Sequence, residues 1–288
     1  MDGTYELFRH YFAVPKTKSK AGLEVGAMTG VLGSVLGMFE GGTTHLAVAT
    51  DHIIESFRND LWPGYKSSAG IEEDLLAQFW PLEDALRAMG VVVWDMVDVE
   101  ADDALAAGAL IASRDKRVEQ VLICTPDKDV GQCVVGKHVV QFDRRKRELR
   151  DEDGVFEKFG VPPVSIPDYL ALTGDSSDGF PGLQGWGPKS ASTALARFGR
   201  IEDIPDRHTE WGLALRGADR LAKTLEEGRE LAMLFKDLAT LRTDMKLISS
   251  VDELLWTGPT SEFEALAEDN DAAELSDRAA AVASRRSS

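Results

Sequence analysis

Short β-rich runs alternate with helix-period stretches through the first half of the chain. Thr44–Asp51, Val91–Val97, Gln120–Thr125 and His138–Phe142 read as strands, with helical patterns between them at Met28–Phe39, Ile71–Met89 and Asp102–Arg114. Strands separated by helices need crossover connections, so the pattern predicts an α/β fold with a mostly parallel central sheet flanked by helices. Pro81 interrupts the second helical stretch. A break or kink is expected near Trp80, because proline removes one helical hydrogen bond and crowds the preceding turn. After about Pro162 the strand signal fades, Gly and Pro punctuate Gly174 to Pro188, and a long helical pattern runs from Trp211 to Arg242. A second, helical subdomain follows from that change of period. The end of the chain, Ser261 to Ser288, carries seven acids and three bases among many Ala and Ser. It reads as a weakly packed helix with a frayed end.

Composition narrows this picture. The 288 residues are 43% hydrophobic, enough to build a substantial core. Two cysteines, Cys124 and Cys133, are too few for a disulfide framework or a four-thiolate zinc site, which points to a reducing compartment. Apolar runs such as Val91 to Trp94 fall far short of the ~20 residues of a membrane span, and no basic-then-apolar signal pattern opens the chain. A cytoplasmic monomer with no membrane association is the expectation. The net charge of −17, from 49 acids against 32 Lys and Arg, argues at first against nucleic acid as a ligand.

The positions of the acids change that inference. Asp51 closes one predicted strand, Glu100, Asp102 and Asp103 follow another, and Asp127 and Asp129 follow a third. In a parallel sheet the carboxyl ends of the strands lie along one edge, so these six acids should converge there. Clustered carboxylates raise one another's pKa unless cations lie between them, and an all-oxygen donor set suits Mg²⁺ or Mn²⁺ rather than zinc. For any single Asp at a helix start, a capping role is the simpler explanation. The repetition at three strand ends, with Asp175 and Asp178 in a glycine-rich turn and Asp2 beside Gly3, favours a metal site.

Three passages carry a family signature: Val99-Glu100-Ala101-Asp102-Asp103, Thr125-Pro126-Asp127-Lys128-Asp129, and Gly174 through Lys189 with its Gly-Asp-Ser-Ser-Asp start. In motif order and spacing from Asp2 to about Trp256, the chain resembles the 5′-3′ exonuclease family, which includes the 5′-nuclease domain of bacterial DNA polymerase I and relatives of flap endonucleases. The resemblance implies a PIN-like or resolvase-like nuclease core over 1–162 with a short helical arch at about 58–89. It further implies a helical DNA-binding subdomain over 163–260, with a helix-hairpin-helix-like element at about 174–199, and leaves 261–288 as an acidic tail. By the same resemblance Asp2, Asp51, Glu100, Asp102, Asp103, Asp127, Asp129, Asp175 and Asp178 bind two or more Mg²⁺ or Mn²⁺ ions. Arg9, Arg58 and Lys66 would contact phosphate during catalysis, and Tyr65 would stack on a base. Gly182, Gly185, Gly187 and Lys189 would bind DNA through the hairpin element, where the family also holds K⁺ on backbone carbonyls. Glycine-lined amides and a helix opening at Pro188 are a physically reasonable phosphate seat.

The implied activity is metal-dependent 5′-3′ hydrolysis of DNA, with action on 5′ flaps, leaving 5′-phosphate ends. DNA with a 5′ end or flap is the implied partner, together with a separate polymerase or repair factors. Two alternatives are a PIN-type ribonuclease and a DNA-structure-binding protein with a weakened site. The chain departs from the family pattern at several points: only Met1 precedes Asp2, which leaves that acid the least anchored; Ala69 stands in place of an arch arginine; Pro126 and Gly179 replace a Gly and an Asn. Trp62, Trp80, Trp94, Trp211 and Trp256 read as core or subdomain contacts, whereas Trp186 lies between hairpin glycines. The five histidines show no ligand spacing, and Arg144-Arg145-Lys146-Arg147 reads as a solvated turn. Without the nine proposed ligands the net charge would be −8, so the metal site accounts for about half of the acidic excess.

Overall fold

The computed structural model describes residues 1–286. In chain order its elements are α1 (Gly3–Tyr11), α2 (Gly26–Glu40), β1 (Ala47–Asp51), α3 (Phe57–Leu61), α4 (Glu73–Leu76), α5 (Phe79–Ala88), β2 (Val92–Met96) and α6 (Ala101–Ser113). They continue with β3 (Val121–Ile123), β4 (Val139–Asp143), β5 (Glu148–Arg150), α7 (Glu152–Phe159), α8 (Ile166–Thr173), α9 (Pro188–Phe198), α10 (Ala218–Ala239), α11 (Phe263–Asp269) and α12 (Ala273–Arg286). All four predicted strands are present, and the α/β reading holds. No helix among the described residues is long and apolar enough to cross a membrane.

The chain divides into two compact units. The first comprises Met1–Ile54, Ser68–Gly108 and the chain from Asp244 onward. Here β1 and β2 pair in parallel with Asp51 opposite Met96, and Asp2 forms a parallel bridge to Ala49. Val31, Leu32, Val35, Leu36 and Phe39 of α2 recur at helical spacing, and all are buried. Gly108 lies inside α6 because a Cβ there would come within 2.3 Å of the Trp94 ring. The terminal segment is better packed than its composition suggested. Phe263, Ala267, Leu275, Ala279 and Val282 are buried, Trp256 stacks on Phe39 at 4.3 Å, and Arg278 pairs with Glu40 at 3.0 Å. Spaced alanines conceal a helix face from composition alone; of the segment read as ending in a frayed tail, Ser287 and Ser288 lie outside the described residues.

The predicted break near Trp80 falls earlier, at Ala77–Gln78 between α4 and α5. Pro81 is the third residue of α5, where the N–H it lacks would have no helical acceptor. Its ring excludes the preceding turn, so the helix must restart just before it.

The second unit comprises Glu55–Ser67 and Ala109–Thr243. Here β3 pairs in parallel with β4, and β4 pairs antiparallel with β5 across the turn that contains Arg144 to Arg147. Its core gathers Phe180, Leu225, Phe235 and Trp211, with Trp186 buried and donating its N–H to the Leu221 carbonyl at 3.2 Å. Trp186 is therefore a packing residue. The long pattern predicted from Trp211 condenses into α10, starting at Ala218, because Gly212 and Gly217 adopt left-handed backbone that no α-helix continues through.

Candidate metal centre

In the second unit, the acids after β3 meet those of the glycine-rich turn after α8. Asp127 and Asp129 are held by successive backbone bonds: the Asp127 N–H donates to Thr125 Oγ1 at 3.3 Å and the Asp129 N–H to Asp127 Oδ1 at 3.0 Å. The turn is closed by reciprocal backbone bonds between Asp175 and Phe180 at 2.8 and 3.0 Å, and the Ser177 N–H donates to Asp175 Oδ1. Gly174 and Gly182 both have positive φ, and a Cβ on Gly182 would come within 2.3 Å of the Gly174 nitrogen, so this crossing of backbones requires glycine. Gly179, in the place of the family's Asn, is also left-handed, a region both residues accept.

Carboxylate oxygens of Asp129, Asp175 and Asp178 lie within 4.8 Å of one another, and all three residues are buried. Two ammonium groups answer them: Lys66 Nζ lies 3.1 Å from Asp178 Oδ1, and Lys128 Nζ lies 2.7 Å from Asp175 Oδ1. Burial is the strongest single influence on the Lys128 ammonium and depresses it, but its bond to Asp175 together with the charges of Asp175, Asp129 and Asp127 holds its pKa above the ordinary lysine value. Asp129 receives no such partner, and its buried Oδ1 makes no hydrogen bond. Burial first, and then the charges of Asp127, Asp178 and Asp175, push its carboxyl well above the usual range, against a smaller opposing effect of Lys66. A buried carboxylate oxygen without a donor, among oxygen ligands only, fits a hard divalent cation.

In the first unit Asp2, Asp51 and Asp103 are tied to backbone, whereas the buried Oδ1 of Asp102 makes no hydrogen bond. Asp2 Oδ1 caps α1 by accepting the Tyr5 N–H at 2.8 Å, and the Ala49 N–H donates to the Met1 carbonyl at 2.9 Å. Asp2 is thus held by its own side chain and by the backbone beside it, which corrects the expectation of a poorly anchored acid. Asp51 Oδ1 accepts the Ala101 N–H at 2.9 Å, at the start of α6, and Asp103 Oδ2 accepts the Glu100 N–H at 2.9 Å. These bonds satisfy orphan donors at the helix start in the manner of a capping box. Glu100 and Asp103 are buried, Asp51 and Asp102 half-buried.

The basic and aromatic candidates separate. Lys66 reaches the acids, as expected. Arg58 does not: it is fully buried, with Nε donating to the Leu238 carbonyl at 2.8 Å and Nη2 to the Thr240 carbonyl at 3.2 Å. It clamps the carbonyl end of α10, a favourable place for a cation, and the phosphate contact implied for it is corrected to a structural role. Arg9 pairs with buried Glu6. Tyr65 is packed in the core of its unit, which departs from the expectation of a ring presented to a base. Gly182 and Gly185 adopt positive φ, Gly187 precedes the first residue of α9, and Lys189 is exposed in the first turn of that helix. Sequence reasoning missed Lys128, although its place between Asp127 and Asp129 was a visible signal. It also missed the pairing of His52 with Glu83, which are 31 residues apart.

A family model for the 5′-3′ exonuclease N-terminal resolvase-like domain matches residues 1–160, and one for the 5′-3′ exonuclease C-terminal SAM fold matches residues 161–262. The chain belongs to the 5′-3′ exonuclease family. A 5′-3′ exonuclease of Buchnera aphidicola is 32% identical, covering 86% of this chain and 82% of that protein. DNA polymerase I of Pseudomonas aeruginosa is 36% identical over 88% of this chain; the chain spans only 28% of that polymerase. In fold, the chain is similar to a T5 5′-exonuclease with divalent zinc ions bound, at a TM-score of 0.55 and 20% identity, covering 89% of this chain and 90% of the other. The chain thus belongs with a family of hydrolases acting on DNA and not with the PIN-type ribonucleases.

Proposed function

We propose that the protein hydrolyses DNA from the 5′ end, and cleaves 5′ flaps, using Mg²⁺ or Mn²⁺ held by Asp2, Asp51, Glu100, Asp102, Asp103, Asp127, Asp129, Asp175 and Asp178. The observation that carries this reading is the buried group of Asp129, Asp175 and Asp178 with its undonated Asp129 oxygen. Divalent ions bound to such carboxylates supply an activated water and neutralise charge on the attacked phosphate and the leaving oxygen. The chain's own residues do the rest. Asp175 and Asp178 are fixed by the closed glycine turn, so their carboxylates need little reorganisation on ion binding. Lys66, on the rim at Asp178, adds positive charge where negative charge grows on the transferring phosphate. The left-handed glycines and the start of α9 offer backbone amides to duplex phosphates, with Lys189 beside them, and the Gly182–Gly187 turn is the proposed K⁺ seat.

Cleavage of a 5′-labelled duplex bearing a single-stranded 5′ tail tests this reading. DNA tails should be cut with Mg²⁺ or Mn²⁺ and spared in chelator, with products carrying 5′-phosphate, and RNA tails should be cut more slowly. An intact DNA tail in the presence of either metal ion overturns the proposal. Binding should weaken with salt in proportion to the number of Lys and Arg that contact phosphate, and on metal removal, since bound ions would offset part of the repulsion from a chain of charge −17.

A further inference from the structure

Trp80 is 59% exposed, whereas its helix neighbour Phe79 is buried. It is nonetheless fixed in place. The indole N–H donates to the His52 carbonyl at 3.1 Å, and the indole lies on the His52 imidazole with centroids 5.1 Å apart and planes 10° from parallel. His52 is tethered in turn, its Nδ1–H donating to Glu83 Oε2 at 2.7 Å, and buried Glu83 accepts the Thr50 hydroxyl at 2.8 Å. Thr50 belongs to β1, so an unbroken series of contacts runs from the sheet to the surface indole. With one face of the ring on the imidazole, the exposed area belongs to the opposite face and the edge. The sequence reading of Trp80 is a core or subdomain contact, and its exposure corrects the core reading.

The surroundings select the ligand. Arg87 is engaged by Asp95 at 2.8 Å and by Asp84 at 3.5 Å, so it is not a ready phosphate contact. Both Glu83 oxygens already accept hydrogen bonds, which argues against an ion among His52, Glu83 and Asp95. What remains is a rigid, uncharged π face. His52 directly follows Asp51, so the platform begins one residue from a proposed metal ligand. We propose that the outer face of Trp80 stacks on an unpaired base in the single-stranded 5′ part of the substrate, with His52 and Glu83 as positioning residues. The proposal rests on the DNA-cleaving function above. It also supplies the exposed base-stacking ring that buried Tyr65 does not.

Affinity is measured in chelator, where the strand stays whole, for a duplex with a 5′ tail carrying 2-aminopurine and for the same duplex blunt. W80A should weaken tailed DNA on the order of ten-fold and abolish the quenching of the tail fluorophore, while blunt DNA binds unchanged. W80F should restore most of the affinity, and H52A should lose roughly three-fold by releasing the ring. Because W80F keeps an aromatic ring at position 80 and H52A leaves Trp80 itself in place, the test survives a poorly folded W80A. Equal binding of tailed DNA by wild type and W80A overturns the proposal. So does an equal loss on tailed and blunt DNA, or an effect confined to binding of a protein partner. Wild-type cleavage of the same tailed duplex with Mg²⁺ separates the two failures: no cleavage sinks the function, whereas cleavage with normal W80A binding sinks only the Trp80 platform.

Discussion

Asp2, Asp51 and Asp103 of the first unit and Asp129, Asp175 and Asp178 of the second are chemically alike and held in opposite ways. In the first unit Asp2, Asp51 and Asp103 accept backbone N–H groups at 2.8 to 2.9 Å, so their negative charge faces helix starts. In the second unit Asp129, Asp175 and Asp178 face one another, with two lysines as counter-ions and one oxygen undonated. Backbone capping stabilises an ionised carboxylate without a metal, whereas mutual confrontation does the reverse. A carboxylate can therefore be a proposed ligand in either unit; the cost of like charges confronting one another is carried by Asp129, Asp175 and Asp178, and Asp102 Oδ1 of the first unit is likewise buried and undonated.

The sharpest way to break that comparison is Asp129→Asn. Mg²⁺-dependent cleavage of a 5′-tailed duplex should be abolished while DNA binding stays measurable by anisotropy. The same variant tests the electrostatic cost. The Asp129 carboxyl is raised in the folded chain above its unfolded value of about 3.9, so the folded state binds more protons than the unfolded state. Metal-free stability should then fall as pH climbs from about 4 through the raised folded value, because the charged form is the one burial penalises. Thermal melts in chelator should show a shallower decline in D129N; identical slopes would place the cost elsewhere.

Next in size is Arg58→Ala, which removes a fully buried cation from the Leu238 and Thr240 carbonyls. Stability should drop by about 3 kcal/mol in urea unfolding, with kcat per folded molecule preserved. A large kcat loss at full stability would return Arg58 to the phosphate. Lys128→Ala should cost about 2 kcal/mol in chelator, since Asp175 stays buried without its ammonium while Lys128 itself is partly exposed. Mg²⁺ should recover part of that loss, and an unchanged melting temperature in chelator would show the pair to be inert. The smallest stability effect separates cap from ligand in the first unit. Asp2→Ala should lose about 1 kcal/mol and Asp2→Asn less than about 0.5, because Asn still caps α1. Both should cleave poorly if the carboxylate is a ligand; wild-type cleavage by D2N would leave Asp2 a cap alone.

Much of the fold was legible because its signals are local. Period-2 and period-3.6 hydrophobicity is written within a few residues, and the strands β1 to β4 appear inside or within one residue of the predicted spans. Pro81 shifted its break by two to three residues because a proline in the first helical turn lacks only an N–H that has no use there. The terminal segment was misread because alanine is silent in composition yet packs well once its spacing matches a helix face. Lys66 and Arg58 show the limit most clearly. They are eight residues apart in one basic segment, yet one lies at an acid and the other is sealed under the end of α10.

The sequence by itself determined which residue types stand at strand ends, where the backbone must be glycine and where helices start. Those choices depend on steric and hydrogen-bonding terms that reach only a few residues along the chain. Tertiary structure decided which carboxylate is capped, which is paired with lysine and which is left undonated, and which of six tryptophans turns a fixed face outward. Desolvation and charge–charge coupling depend on groups brought in from distant parts of the chain, so no local pattern could encode the difference between Asp51 and Asp129.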